Sequence, residues 1–168
     1  VLPPLLAALA IGGLGVGVWA GAANYLPGGR SGAVVNTVAR ERALSPVSAC
    51  LLTDSAGIGR KPAADVWAGV QDAAAEAKVR ASFLPLVRAG SPADEVNALI
   101  AQGCSLIVAV GSRSVDAVQS AAGAAPSAVH FAAAGASSRN RVAGFAASRA
   151  EAKALAARTF STIQRSNS

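Results

Sequence analysis

Three apolar runs of similar length, VSACLLTD (47–54), VRASFLPL (79–86) and CSLIVAVG (104–111), are each followed by a stretch with helical spacing. That alternation is the tightest constraint on the fold. Short runs that are apolar throughout suit strands buried on both faces of a parallel sheet, and parallel neighbours need crossover helices. Pro62 is placed to open the first helix, with Val66, Val70, Ala73 and Ala77 lining one face. Ser91-Pro92-Ala93-Asp94 reads as a capping box before a helix with Val96, Leu99 and Ile100 as its inner stripe and Gly103 as its stop. SRSVDAVQSAA (112–122) is a short third helix, and AVHFAAA (128–134) and RVAGFAA (141–147) are two more strands. Ser148-Arg149-Ala150-Glu151 is a second capping box, opening a helix that runs to about Arg165. Pro85 places the second strand at an edge, and the third strand, the most apolar, belongs at the centre. The expected architecture is α/β, a doubly wound parallel sheet, with any ligand outside the carboxyl ends of its strands.

Ahead of this domain, Val1 to Gly29 contains no charged residue. Residues 1–23 are read as a transmembrane anchor, with a signal segment cleaved after Ala20-Gly21-Ala22 as the alternative. The apolar run exceeds the core of a typical signal peptide, which favours the anchor. Gly13, Gly17 and Gly21 recur on one helix face, a spacing that would let two such helices dimerise. Arg30, Arg40 and Arg42 follow the span and, taken alone, would hold the domain in the cytoplasm. The chain has no Met and begins at Val1, so upstream residues are expected, a basic n-region among them, and the charge flanks alone leave the orientation open. Residues 24–46 read as a linker and 47–168 as the globular domain.

A net charge of +6 admits anionic partners such as lipid headgroups or acidic polymers. Aromatic residues make up 4% and are not interleaved with the basic ones, which argues against nucleic acid. Cys50, Cys104 and His130 fit no zinc-ligand spacing, and no metal or cofactor is expected. The two cysteines read as buried thiols offset along neighbouring strands, unlinked. His130 reads as a packed or edge histidine. GIGRK (57–61) lacks the Lys and hydroxyl of a phosphate-binding P-loop, since Arg60 follows Gly59 and Pro62 replaces the hydroxyl. Asp54 has no accompanying carboxylates of a magnesium-dependent receiver, and no nucleophile elbow is present. Catalysis is not expected.

The segment LLTDSAGIGRKPAADVWAGVQDAAAEAKV, followed by DEVNALIAQGCSLIVAVGSRSVDAVQSAA, resembles the basic membrane protein family, the PnrA-like substrate-binding proteins of ABC transporters. Thr53, Asp54, Gly57, Trp67 and Gly69 match the family's strand end, glycine loop and Trp-x-Gly helix. Gly103, Leu106, Ile107, Val108 and Gly111 meet its next strand in part, Asp116 falls at its Asp-Ala position, and NRVAGFAASRAEAKALAA resembles its following strand and helix. The resemblance covers about Val47 to Thr162. It implies the first lobe of a type I periplasmic-binding-protein-like fold, preceded here by the N-terminal transmembrane helix. It also implies a plasma-membrane location with the domain on the extracytoplasmic side, an ABC permease as partner, and a nucleoside-like ligand. One departure is plain. Where the family has an acidic pair and then Ser-Phe-Asn to stack on and hydrogen-bond a base, this chain has Gly59-Arg60-Lys61-Pro62-Ala63-Ala64.

The candidate ligand-binding residues are Thr53, Asp54, Ser55, Gly57, Arg60, Lys61, Gly111, Ser112 and Arg113. Arg60, Lys61, Arg88, Arg113, Arg139 and Arg141 are expected to gather in a basic rim at the carboxyl edge, suited to a small anionic ligand. The functional expectation is a divergent or truncated solute-binding domain. The alternative is a membrane-tethered sensor or interaction module that has lost nucleoside binding.

Overall fold

The computed structural model describes residues 45–86 and 90–168. The expected membrane span, the linker as far as residue 44, and Arg88 lie outside them. Among the described residues, no helix is long and apolar enough to cross a membrane. The chain alternates β1 (Ser48–Thr53), α1 (Ala63–Ala77), β2 (Arg80–Pro85), α2 (Pro92–Ala101), β3 (Leu106–Val110), α3 (Ser112–Ala121), β4 (His130–Ala134), β5 (Val142–Phe145) and α4 (Arg149–Ser166). The five strands are parallel in the order β2-β1-β3-β4-β5. β2 is therefore an edge and β3 the centre, as Pro85 and the apolar character of β3 imply.

Alternation along the strands divides the core into two halves. Ala49 and Leu51 of β1 and Leu106, Val108 and Val110 of β3 face α1 and α4, where Val66, Val70, Ala73, Phe160 and Ile163 close over them. Cys50 and Leu52, with Ile107 and Ala109, face α2 and α3, against Val96, Leu99 and Val118. Burial on both faces is why β1 and β3 read as unbroken apolar runs.

α1 and α4 lie side by side on one face, and Gly69 is the point of closest approach. A Cβ on Gly69 would overlap the Arg149 carbonyl oxygen and stand 2.9 Å from Ala152 Cβ. Two ion pairs flank the contact. Arg149 donates from Nε to Asp72 Oδ2 at 2.8 Å and from Nη2 to Oδ1 at 3.0 Å, and Lys153 Nζ lies 2.6 Å from Glu76 Oε1. The hydrogen bond from Arg149 is the chief reason that the Asp72 carboxyl titrates below the ordinary carboxylate range. A depressed folded-state value stabilises the fold above the unfolded pKa, near 4, and is lost as pH falls through the folded value. The melting-temperature deficit of Asp72→Asn is thus expected to be full at neutral pH, to shrink below about pH 4 and to vanish at lower pH. Thermal unfolding of both proteins from pH 7 to pH 2 checks this; a constant deficit would mean that shape, not charge, is what the pair supplies.

Three sequence expectations are corrected. First, the cysteines form a disulfide, Cys50–Cys104, with Cα atoms 5.9 Å apart. Cys104 is not in β3 but in the turn leaving α2, where Gly103 takes φ +82° and Cys104 N donates to Leu99 O at 3.1 Å. The turn frees Cys104 from the strand register and carries it to Cys50. Second, Ser91 makes no side-chain cap; the Asp94 N–H goes to its backbone oxygen at 3.1 Å instead. Ser148 does cap, accepting from the Glu151 N–H at 3.3 Å.

The third correction concerns the basic rim. Because β5 is parallel to β4, the chain leaving β4 must return to the opposite edge, and it does so alongside β5. Gly144 N donates to Ser138 Oγ at 2.9 Å, and Arg139 forms an antiparallel bridge with Val142, the first residue of β5. Arg139 and Arg141 are thereby delivered to the amino edge, away from Arg60, Lys61 and Arg113. Arg141 spends its guanidinium on the loop before β4, with Nη1 donating to Ala122 O (3.0 Å) and Ala125 O (2.6 Å) and Nη2 to Pro126 O (2.9 Å).

Candidate functional site at the carboxyl edge

In the order β2-β1-β3, the chain moves outward in one direction from β1 to β2 and in the other from β1 to β3. The crevice between the carboxyl ends of β1 and β3 is therefore the topological switch point, where open α/β sheets hold their ligands. A cleft of about 200 Å³ lies there, walled by Thr53 and Asp54 from β1, Val110 and Gly111 from β3, and Gly57, Arg60 and Lys61 from the loop into α1. Six of the nine residues singled out in the sequence thus share one cleft: Thr53, Asp54, Gly57, Arg60, Lys61 and Gly111. Ser55, Ser112 and Arg113 do not line it. Arg113 borders a separate groove on the α2/α3 side, beside Ser91 and Asp116.

The loop is shaped by short-range chemistry. Gly57 adopts φ +62°, a left-handed conformation that costs glycine nothing, and its N–H closes a turn on Asp54 O at 2.9 Å. α1 starts without a side-chain cap, at Pro62. Its uncapped first turn therefore presents partial positive charge to the cleft. Lys61 Nζ lies 3.4 Å from Asp65 Oδ2, an exposed i,i+4 pair of small energetic weight.

Asp54 has a role that the sequence reading did not assign. Its Oδ1 accepts from Ser114 N at 3.0 Å and from Ser114 Oγ at 2.8 Å, so it caps α3 from the neighbouring strand. Gly111 makes this possible, since a Cβ there would overlap the Asp54 carboxylate. The residue that sequence reasoning missed is Ser114. It is fully buried, and its signal was a serine at the third position of a helix that follows a glycine turn. With Asp54 in place, the α3 N-terminus already holds its own anion, and the cationic side chains of the cleft wall are Arg60 and Lys61, the latter paired with Asp65 of the first turn of α1.

Thr53 is fully buried, and its Oγ1 has no hydrogen-bond partner among the described residues. Leaving such a group unpaired costs about 1–3 kcal/mol. Among the described residues, no aromatic side chain lines the cleft. Trp67 instead meets Phe83 edge-to-face with centroids 5.6 Å apart. The arrangement can receive a small anionic or polar group; its volume is below the roughly 300–1,000 Å³ usual for drug-sized ligands. A larger cleft, about 500 Å³, opens at the amino edge beside the disulfide. The smaller one is the stronger ligand candidate because it alone combines the switch point with a helix N-terminus.

No protein-family model matches the chain, and no curated protein sequence matches it. A crystal structure does. It is of a fragment provisionally described as a lipoprotein, from Peptoclostridium difficile 630, and it superposes with a TM-score of 0.55 at 13% identity. The superposition covers 73% of this chain and 99% of that one. At that identity the likeness shows a shared fold.

Proposed function

We infer that the chain is a membrane-attached, extracytoplasmic solute-binding domain of PnrA-like type, acting for an ABC transporter without catalysis and divergent in its ligand loop. The observation that carries the reading is the cleft at the β1/β3 switch point, with Arg60, Lys61 and the uncapped α1 N-terminus on its wall. The disulfide supports the location, because such bonds persist in oxidising compartments. So does the fold shared with a protein described as a lipoprotein. The solute that fits is a small anion-bearing molecule rather than a purine nucleoside, since the cleft is small and no ring among the described residues lines it to stack on a base.

Calorimetry of the full chain tests this. Inosine and adenosine are expected to bind no tighter than about 1 mM, a free energy near −4 kcal/mol. Micromolar affinity for either would overturn the assignment. Small phosphate- or carboxylate-bearing solutes are expected to bind, and Arg60→Gln with Lys61→Gln to weaken them about tenfold, one lost charge-assisted contact. Failure of every solute would favour a second reading, a tethered sensor or interaction module. That reading draws on the engagement of Asp54 by Ser114, which removes one polar group from the cleft.

A further inference from the structure

We propose that the amino edge of the sheet is a second membrane contact, a basic face that docks on anionic phospholipid headgroups; this rests on the membrane-attached reading above. The ends of α1 and α4 and the start of β2 converge at this edge. Gln164 Nε2 donates to Ala77 O at 3.3 Å, Ser45 N donates to Lys78 O at 2.9 Å, and Arg80 stands opposite Ser48 in the sheet. Lys78, Arg80 and Arg165 are exposed there. Of the described carboxylates, Glu76 is at this end of α1, Asp72 is held by Arg149, and Asp116 lines a groove with Arg139 on the α3 side. Asp65, Asp94, Glu95 and Glu151 occupy the first turns of α1, α2 and α4 at the carboxyl edge, and Asp54 is bound to Ser114. Glu76, the carboxylate nearest in sequence to Lys78, is held by Lys153 Nζ at 2.6 Å.

Basic residues near helix C-termini need no partner beyond the helix dipole. Arg80 is different, since it begins a strand and lines the cleft of about 500 Å³, with Ser82, Gln102 and Pro46 also in the wall. The Arg80 guanidinium and the Gln102 amide are donors suited to a phosphate diester, while the Ser82 hydroxyl donates to Cys50 Sγ at 3.5 Å. The first described residues, Ser45 and Pro46, are at this same edge, with Pro46 in the wall of the cleft. If residues 1–23 lie in a bilayer, the remaining tether of about 20 residues has a reach of roughly 25 Å. Its effective concentration at the surface is then on the order of millimolar. A basic residue gains about fivefold at an anionic surface, so three suffice to bias such a tethered domain toward contact.

The test uses the full chain with phosphatidylcholine vesicles and with vesicles containing phosphatidylglycerol. Flotation with both is expected, as the anchor requires. Amide exchange over 78–82 and 164–166 is expected to slow on the anionic vesicles alone. The triple variant Lys78→Asn, Arg80→Gln, Arg165→Gln should still float but lose that protection, about fivefold for each charge removed. Salt at about 1 M should do the same to the unmodified protein. Equal exchange on both lipids, with flotation intact, would defeat the docking face and leave membrane attachment standing. No flotation on either lipid would defeat the attachment, and the docking face with it.

Discussion

Replacing Cys50 and Cys104 together by alanine is expected to lower the unfolding free energy by about 4 kcal/mol. The two residues are separated by 54 positions, and closing a loop of that length removes about this much conformational freedom from the unfolded chain. For a small domain that is a large fraction of a total stability of about 5–15 kcal/mol. Both residues are buried in the α2/α3 half of the core, so truncation also removes packing around Leu99. Denaturant unfolding of the double variant and of the oxidised protein gives the difference directly. A loss below about 1 kcal/mol would show that the unfolded chain is not restrained by the bridge. The same protein, extracted from cells under alkylating conditions, is expected to carry the bond already formed; free thiols at both positions would place the domain in a reducing compartment.

Gly69→Val is expected to cost at least about 3 kcal/mol, the upper part of the range for overpacking. The added atoms have nowhere to go, because the neighbours are the backbone of Arg149 and Lys153 rather than the end of a flexible side chain. α4 must move off α1, which strains the Asp72–Arg149 and Glu76–Lys153 pairs and uncovers Phe160, now fully buried. Gly123→Ala is the matched control. It meets nothing within 4 Å, and its effect should stay within about 0.5 kcal/mol. Circular dichroism melts of both variants decide the matter, and equal melting temperatures would remove Gly69 as the packing constraint.

Gly69 also shows how much of this structure could be read in advance. The Trp67-x-Gly69 pair stands out in the sequence as a pattern, but the reason for the glycine is a contact with residues 80 positions further on. The centre of the sheet was legible because burial on both faces leaves a local mark, an apolar run, in β1 and β3; β2, mostly exposed, was marked as an edge by Pro85. The switch-point cleft followed from strand order, and six of its residues followed from the cleft. What stayed hidden depends on how the chain travels between elements. The disulfide turns on Gly103, which lifts Cys104 out of the β3 register. The displacement of Arg139 and Arg141 turns on the loop that retraces β5, and the engagement of Asp54 turns on Ser114, some 60 residues away. None of these leaves a periodic signal.

The loop that retraces β5 has one more consequence. A sheet with two open sides can add strands without end, copy upon copy, and so grow into a fibre. Here Ser138 and Arg139 occupy the outer side of β5, while no described residue pairs with the outer side of β2. Two molecules that met through β2 would each present a blocked far side, and the assembly would close at a pair. A single seven-residue return, 135–141, thus makes this domain self-terminating with respect to strand exchange.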